Sequence, residues 1–194
     1  MAEIKPVIFD PAVMPKRVNQ AEGEDLIVTS ANNYYEGVTQ KEVERFYAER
    51  MNPHDTTPVS WGLNSKLVKE PDGRIVERVW KVGGMYSPAI EKIVYWLGKA
   101  AEVAREPQKQ TILVLIDYYR SGDLRQFDAF NIRWVEDTVS KVDFVNGFTE
   151  NYGDPLGYRG AWEGMVNFRD EEATRRTQTI SEEAQWFEDH SPID

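Results

Sequence analysis

Three helical patterns in series, followed by two strand patterns, constrain the fold of this 194-residue chain most strongly. A first helix is predicted from Ser87 to just before Pro107, because apolar residues recur there at helical spacing. A second is predicted over Gln108–Ser121, where the glycine that follows offers a helix stop. A third begins after Asp123, which supplies an N-cap. The middle third of the chain is therefore predicted to be helical.

Alternating or apolar patterns then run from Val142 to Thr149 and from Tyr158 to Phe168, which is typical of two strands. The segment Gly153–Gly157 between them contains Gly, Asp and Pro, so it predicts a stiff turn. Earlier, Leu67 to Val82 indicates another hairpin. The fold class predicted is α+β, with several helices packed against short antiparallel strands.

Two further helices complete the predicted elements. Thr39 and Glu42 form a capping-box pair ahead of apolar residues at helical spacing. Asp170 precedes a last amphipathic helix that carries Ile180 and Phe187 on one side.

Charge and composition exclude several classes of protein. The net charge of −10 has the wrong sign for binding nucleic acid or anionic lipid through phosphate contacts. Apolar runs such as Ile112–Ile116 are far shorter than the roughly 20 residues of a membrane-spanning helix. The N-terminus has no basic region followed by an apolar one, so we expect no signal peptide and a cytoplasmic location.

Metal ligation by this chain is not predicted. There is no cysteine, and the two histidines are His54 and His190. Neither lies in a paired helical motif, and both are surrounded by loop-forming residues.

The second predicted hairpin concentrates groups that can bind or catalyse, namely Glu150, Tyr152, Asp154, Arg159 and Glu163. Strand ends on a rigid scaffold commonly present such groups. By strand alternation, Glu163 points away from the face that carries Trp162. Spacing alone leaves open a plain solvated turn, or two carboxylates of a glycosidase.

The segment Phe148–Gly160, continuing through Trp162 and Glu163, contains Phe-x-Glu-x-Tyr-x-Asp-Pro-x-Gly-x-Arg-Gly. This pattern resembles dipeptidyl peptidase III, a family of zinc exopeptidases that remove dipeptides from the N-terminus of oligopeptides. The tail Gln185–Pro192 is similar to the bacterial branch of that family, and the region from Asn19 to Trp96 resembles it more loosely.

The resemblance implies roles for individual residues. Glu150 and Glu163 would receive the free ammonium group of an oligopeptide substrate, and Tyr152 would act catalytically, with a hydrogen bond near the scissile carbonyl. Trp134 matches a tryptophan of the cleft wall, although a helix-core position explains it equally well. Asp154 and Arg159 would be structural, through turn hydrogen bonds and charge pairing.

The family's zinc motif, His-Glu-x-x-Gly-His, is absent from this sequence. The resemblance therefore implies a fragment in which residues 1–168 form part of the substrate-binding lobe and 169–194 lead toward a missing zinc-binding lobe. Zinc would belong to the parent enzyme, and this chain alone would be inactive. The alternative is a non-catalytic module that binds peptides or proteins. Surface exposed by a missing lobe could promote dimers.

Overall fold

The computed structural model describes residues 3–192. Residues 1–2 and 193–194, at the outer ends of the predicted segments 1–168 and 169–194, lie outside the described part. Thirteen elements follow one another in this part of the chain: α1 (Ile4–Phe9), α2 (Leu26–Thr29), β1 (Tyr35–Glu36), α3 (Gln40–Ala48), β2 (Ser65–Lys69), β3 (Ile75–Val79), α4 (Ser87–Val103), α5 (Gln108–Ser121), α6 (Leu124–Glu136), β4 (Val142–Glu150), β5 (Ala161–Phe168), α7 (Glu171–Glu182) and α8 (Ala184–Asp189).

A three-stranded sheet forms the first layer. Strands β2 and β3 are antiparallel, and β1 pairs with β2 in parallel, with Tyr35 opposite Leu67. Helix α3 lies beside this sheet and begins with a complete capping box between Thr39 and Glu42. Its residues Val43 and Tyr47 are fully buried in a cluster with the strand residues. The predicted helix and hairpin are thus packed into one unit.

The helices α4, α5 and α6 form the second layer, and α5 lies at its centre. Leu115, Tyr118 and Tyr119 of α5 are almost completely buried. The helix ends at Gly122, whose φ of 74° is the left-handed conformation that glycine adopts without strain. Apolar contacts then join the helices to both sheets. Trp80, which follows β3, lies 4.8 Å from Phe148 of β4, measured between ring centroids.

The antiparallel hairpin β4–β5 is the last structure that packs on this core. Phe144 of β4 lies 6.1 Å from Phe130 of α6, so the hairpin is fastened along its first strand. Helices α7 and α8 follow, and none of their residues is buried. The hairpin therefore connects a well-packed body to an exposed helical tail.

The structure confirms the predicted α+β class, and it differs from the predicted elements only locally. The parallel pairing of β1 was not predicted, because a two-residue strand carries no periodic pattern. The last helix is broken at Glu183, where φ and ψ are −96° and 11°. Residues 158–160, predicted as strand, form part of the loop before β5. Within residues 3–192, no helix combines the length and the apolar character needed to cross a membrane.

Candidate peptide-binding site

The register of the β4–β5 hairpin places Glu150 and Glu163 on one face. Glu150 pairs with Ala161, and Glu163 pairs with Gly147. Opposite residues of an antiparallel pair point to the same side, as do residues two apart in a strand. Ala161 and Glu163 are two apart, so the two carboxylates share a face at a diagonal spacing of about 7 to 8 Å between Cα atoms.

A bulge in β4 makes this arrangement possible. The register shifts between Phe148 and Glu150, so Thr149 is an extra residue. The Thr149 hydroxyl donates to Glu163 at 3.3 Å, which confirms that it lies on the carboxylate face. Glu150 is exposed and Glu163 is half-buried. Both carboxylates can therefore accept hydrogen bonds from a ligand on this face.

Tyr152 lies just beyond the end of β4 and is 80% exposed, which leaves its hydroxyl free for a ligand. Tyr34 is close by. Its pKa is raised, mainly because burial disfavours the phenolate and further by the negative charge of Asp154 and by Tyr152. The Tyr34 phenol therefore stays protonated at neutral pH and can act as a hydrogen-bond donor.

The loop between the strands is organised by the carboxylate of Asp154. Its Oδ2 accepts hydrogen bonds from the backbone N–H groups of Tyr158 and Arg159, at 2.9 and 2.8 Å, and from the Tyr35 hydroxyl, at 2.7 Å. Its Oδ1 accepts from the backbone N–H of Leu156 at 3.1 Å. These four bonds satisfy a buried carboxylate. The turn hydrogen bonding predicted for Asp154 is therefore present.

The side chain of Arg159 is fully buried between two tyrosines. Its guanidinium carbon lies 5.0 Å from the ring centroids of Tyr35 and Tyr47, within the range of cation–π attraction. The space for it exists because residue 62 is glycine. A Cβ at Gly62 would lie 1.6 Å from Nη1 of Arg159.

The predicted charge pairing of Arg159 is wrong in its detail. Among residues 3–192, no carboxylate lies within ion-pair distance of its guanidinium, and none of its three side-chain nitrogens has a hydrogen-bond partner. The donors to the Asp154 oxygens are instead backbone N–H groups and the Tyr35 hydroxyl. Arg159 reaches Asp154 through its own backbone N–H.

Trp134 lies at the other end of the hairpin. Its Nε1 donates to the Asp143 carboxylate at 2.8 Å, near the start of β4. Glu150 lies seven positions after Asp143, which is about 23 Å along a strand. The structure thus places Glu150 and Glu163 on one face of the hairpin and Tyr152 just past the end of β4, in the loop that contains Asp154 and Arg159, whereas Trp134 lies at the other end. A role for Trp134 in a cleft wall stays a prediction.

The residues present do not fit a zinc ion. Between residues 3 and 192 there is no group of three or more His, Cys, Asp or Glu side chains that could hold a metal. His190 stacks on the ring of Trp186 at 4.4 Å, at the end of the exposed helical tail.

The model of Peptidase family M49 matches residues 64–193, which is most of the chain and includes the whole hairpin. The chain belongs to this family. Human dipeptidyl peptidase 3 is 34% identical over 84 residues, which cover 43% of this chain and 11% of the human protein. The matched segment thus spans about one ninth of the length of that relative.

Two solved structures share the fold. The structure of dipeptidyl-peptidase III from Corallococcus sp. strain EGB has a TM-score of 0.58 at 24% identity and covers 84% of this chain and 29% of that chain. DPP III from Caldithrix abyssi has a TM-score of 0.61 at 17% identity and covers 96% of this chain and 36% of that chain. At these identities the likeness supports the fold alone. The likeness in fold also takes in the region before residue 64, since the second structure covers 96% of this chain.

Sequence reasoning missed the residues that hold the loop of this family member in place. Tyr35, Tyr47 and Gly62 surround Asp154 and Arg159, but Tyr35 and Asp154 are separated by 119 positions. Local spacing contains no signal for such a contact. Tyr34, beside Tyr152, was missed for the same reason.

Proposed function

We propose that this chain is the substrate-binding part of a dipeptidyl peptidase that removes dipeptides from the N-terminus of oligopeptides. The observation that carries the proposal is the shared face of Glu150 and Glu163, beside an exposed Tyr152. In this proposal residues 1–168 belong to the substrate-binding lobe, and 169–194 lead to the rest of a longer, cytoplasmic enzyme.

The two carboxylates provide a way to recognise the end of a peptide chain. A free N-terminus carries an ammonium group, whereas an internal residue carries a neutral amide. Charge-assisted hydrogen bonds contribute roughly 1.5 to 3 kcal/mol each, so a ligand that lacks the cation loses that amount. The half-buried Glu163, already oriented by Thr149, gives the ammonium a fixed acceptor.

Tyr152 is proposed to donate a hydrogen bond to the peptide near the bond that is cleaved. A hydroxyl donor aimed at a carbonyl stabilises negative charge as it develops on the oxygen. The loop that carries Tyr152 is held by buried groups at Asp154 and Arg159, so its backbone position is defined before a ligand binds.

Zinc, in this proposal, is held by a part of the parent enzyme outside this chain. The residues of this chain would bind and orient the peptide, and no step on them involves a metal. We therefore expect no hydrolysis by the chain alone. A dipeptidyl arylamide incubated with the chain and added zinc should give no turnover that a chelator abolishes.

Calorimetry with tetra-alanine amide tests the binding role. We expect the peptide with a free N-terminus to bind at least tenfold more tightly than its N-acetylated form, because only the former presents a cation. Glu150→Gln and Glu163→Gln should each remove most of this preference. Glu22→Gln, at an exposed position elsewhere, is the matched control and should leave it unchanged. Equal affinity for the free and acetylated peptides would contradict the proposal.

A further inference from the structure

The guanidinium of Arg159 is a buried charge without a counter-charge in direct contact. Its side chain is fully buried, and its three nitrogens have no hydrogen-bond partner among residues 3–192. A buried charge is strongly destabilising unless other groups compensate it. The compensation must therefore come from groups that lie one step beyond the guanidinium.

Tyr47, one of the two rings beside the guanidinium, leads to a carboxylate outside the loop. Its hydroxyl donates to Oε1 of Glu77, on β3, at 2.5 Å. The same oxygen accepts a hydrogen bond from the hydroxyl of Ser65, on β2, at 2.8 Å. Tyr47 is fully buried and Glu77 is half-buried. Glu77 is therefore held in the first sheet, one phenol away from Arg159.

The Tyr47 hydroxyl also lies close to the guanidinium. The position of a Cβ on Gly62 is 1.6 Å from Arg159 Nη1 and 2.8 Å from the Tyr47 hydroxyl oxygen, so these two atoms are near neighbours. Burial raises the pKa of Tyr47, the positive charge of Arg159 opposes this rise, and the negative charge of Glu77 adds to it. The phenol therefore interacts with both charges and keeps its proton, which it donates to Glu77.

Tyr35 forms a second arrangement of this kind. Its hydroxyl donates to Asp154 at 2.7 Å, and its ring centroid, like that of Tyr47, lies 5.0 Å from the guanidinium carbon. Asp154 belongs to the same loop as Arg159, whereas Glu77 belongs to the first sheet. Glu77 is thus the carboxylate that can couple the charge of the loop to another part of the fold.

We propose that Glu77 is a positioning residue for the candidate peptide site. Its negative charge, acting through the Tyr47 phenol, holds Arg159 in place and so fixes the loop that carries Tyr152. The consequence for ligand binding rests on the proposed function, whereas the effect on the loop does not. If Glu77 served only as a hydrogen-bond acceptor for Tyr47 and Ser65, a neutral acceptor would replace it without loss.

Glu77→Gln separates these two roles, because it keeps an acceptor oxygen and removes the charge. Amide hydrogen exchange, followed by NMR at single residues, reports how often the loop opens. The amides to follow are those of Tyr158 and Arg159, which donate to Asp154. We expect them to exchange about tenfold faster in the variant, with a smaller change in helix α5.

Glu36→Gln is the matched control. Glu36 is an exposed carboxylate of the same sheet and contacts Lys66 at 2.7 Å. Exposed ion pairs contribute little to stability, so this variant should leave exchange in the loop unchanged. Equally faster exchange in both variants would overturn the specific role of Glu77.

Two backgrounds test the route from Glu77 to Arg159. Tyr47→Phe keeps the ring and removes the hydroxyl that joins the two charges, and Arg159→Met removes the cation. In either background, the further change Glu77→Gln should alter loop exchange by less than about twofold. An undiminished effect in either background overturns the coupling. Circular dichroism identifies a background that does not fold, and the other background then decides.

Calorimetry with tetra-alanine amide gives the ligand readout. We expect Glu77→Gln to bind the peptide with a free N-terminus about fivefold more weakly than the original chain, because a looser loop holds Tyr152 less firmly. Faster loop exchange together with this weaker binding supports the inference.

The other outcomes separate this inference from the proposed function. Unchanged loop exchange in Glu77→Gln overturns the inference, whatever the peptide does. Faster loop exchange with unchanged affinity for a peptide that binds overturns the positioning of the site by Glu77. Faster loop exchange in a chain that does not distinguish free from acetylated peptide overturns the ammonium site, and the dependence of the loop on Glu77 stands.

Discussion

The two ends of the β4–β5 hairpin differ sharply in how they are held. At the loop end, Asp154 and Arg159 are buried and every loop turn is fixed by hydrogen bonds or rings. At the open end, Val166 and Phe168 are largely exposed, and the helices that follow bury none of their residues. Of the two ends of the hairpin, the one that carries the candidate ligand groups is therefore the more firmly held.

The comparison also separates two kinds of residue. The groups proposed to contact a peptide, Glu150 and Tyr152, are exposed, whereas the groups that hold them are buried and come from distant parts of the chain. Changes at the buried anchors should thus alter the stability of the whole domain, and changes at the open end should not.

The largest effect is expected from Gly62→Ala. A methyl group there would lie 1.6 Å from Arg159 Nη1 and 2.8 Å from the Tyr47 hydroxyl. We expect a loss of about 3 kcal/mol or more in the free energy of unfolding, from overpacking and strain together. Gly73→Ala is the matched control, because its φ of 86° is nearly that of Gly62, 85°, with no atom near the new methyl. Gly73→Ala should lower the free energy of unfolding by about 1 kcal/mol. Equal losses of unfolding free energy for the two variants, measured by urea unfolding, would disprove tight packing of Gly62 against Arg159 and Tyr47.

A smaller effect is expected from Tyr35→Phe, which removes one of the four donors to Asp154. We expect a loss of about 1.5 kcal/mol at neutral pH. Tyr95→Phe, at an exposed position, should change the free energy of unfolding by only a few tenths of a kcal/mol.

Tyr35→Phe should also change how the free energy of unfolding responds to alkaline pH. Burial raises the pKa of Tyr35, and Asp154 adds to this, although Arg159 opposes it. The unfolded chain loses the phenol proton above pH about 10 while the folded chain keeps it, so stability present below that pH falls as pH rises. Tyr35→Phe should make this fall shallower by up to about 1.4 kcal/mol per pH unit. An unchanged slope between pH 10 and 11 would show that Tyr35 is not protected.

The smallest effect on stability is expected from Phe168→Ser at the open end. Its side chain is 79% exposed, so the free energy of unfolding should change by less than about 0.5 kcal/mol. If the exposed surface around Phe168 promotes the predicted dimer, Phe168→Ser should shift the sedimentation of the chain toward that of the monomer. Val103→Ser, 83% exposed on α4, controls for a general loss of apolar surface. Identical sedimentation of the original chain and Phe168→Ser would remove Phe168 from any such contact.

Local signals made much of the fold predictable. The end of α5 follows from Gly122, and the start of α3 follows from the capping box of Thr39 and Glu42, because both devices act within one helical turn. The hairpin that carries Glu150 and Glu163 was also predictable, since its strands and turn have local sequence signals. The bulge at Thr149 was not, because strand alternation contains no mark of an extra residue.

The surroundings of Arg159 could not be predicted for a different reason. Arg159 was expected to pair with a carboxylate, which is the usual partner of such a charge. The tertiary fold instead supplies two tyrosine rings and the space above Gly62. These residues are brought together only by packing of the first sheet against the loop.

The bond between Tyr35 and Asp154 also bears on the order of folding. It joins residues 119 positions apart, and contacts of such high sequence separation form slowly because a long loop must close first. The helices and the β2–β3 hairpin can form from neighbouring residues, whereas the 150–160 loop must wait for the first strand. We therefore expect the loop end of the hairpin, where the candidate ligand groups lie, to be the last part of this chain to mature during refolding.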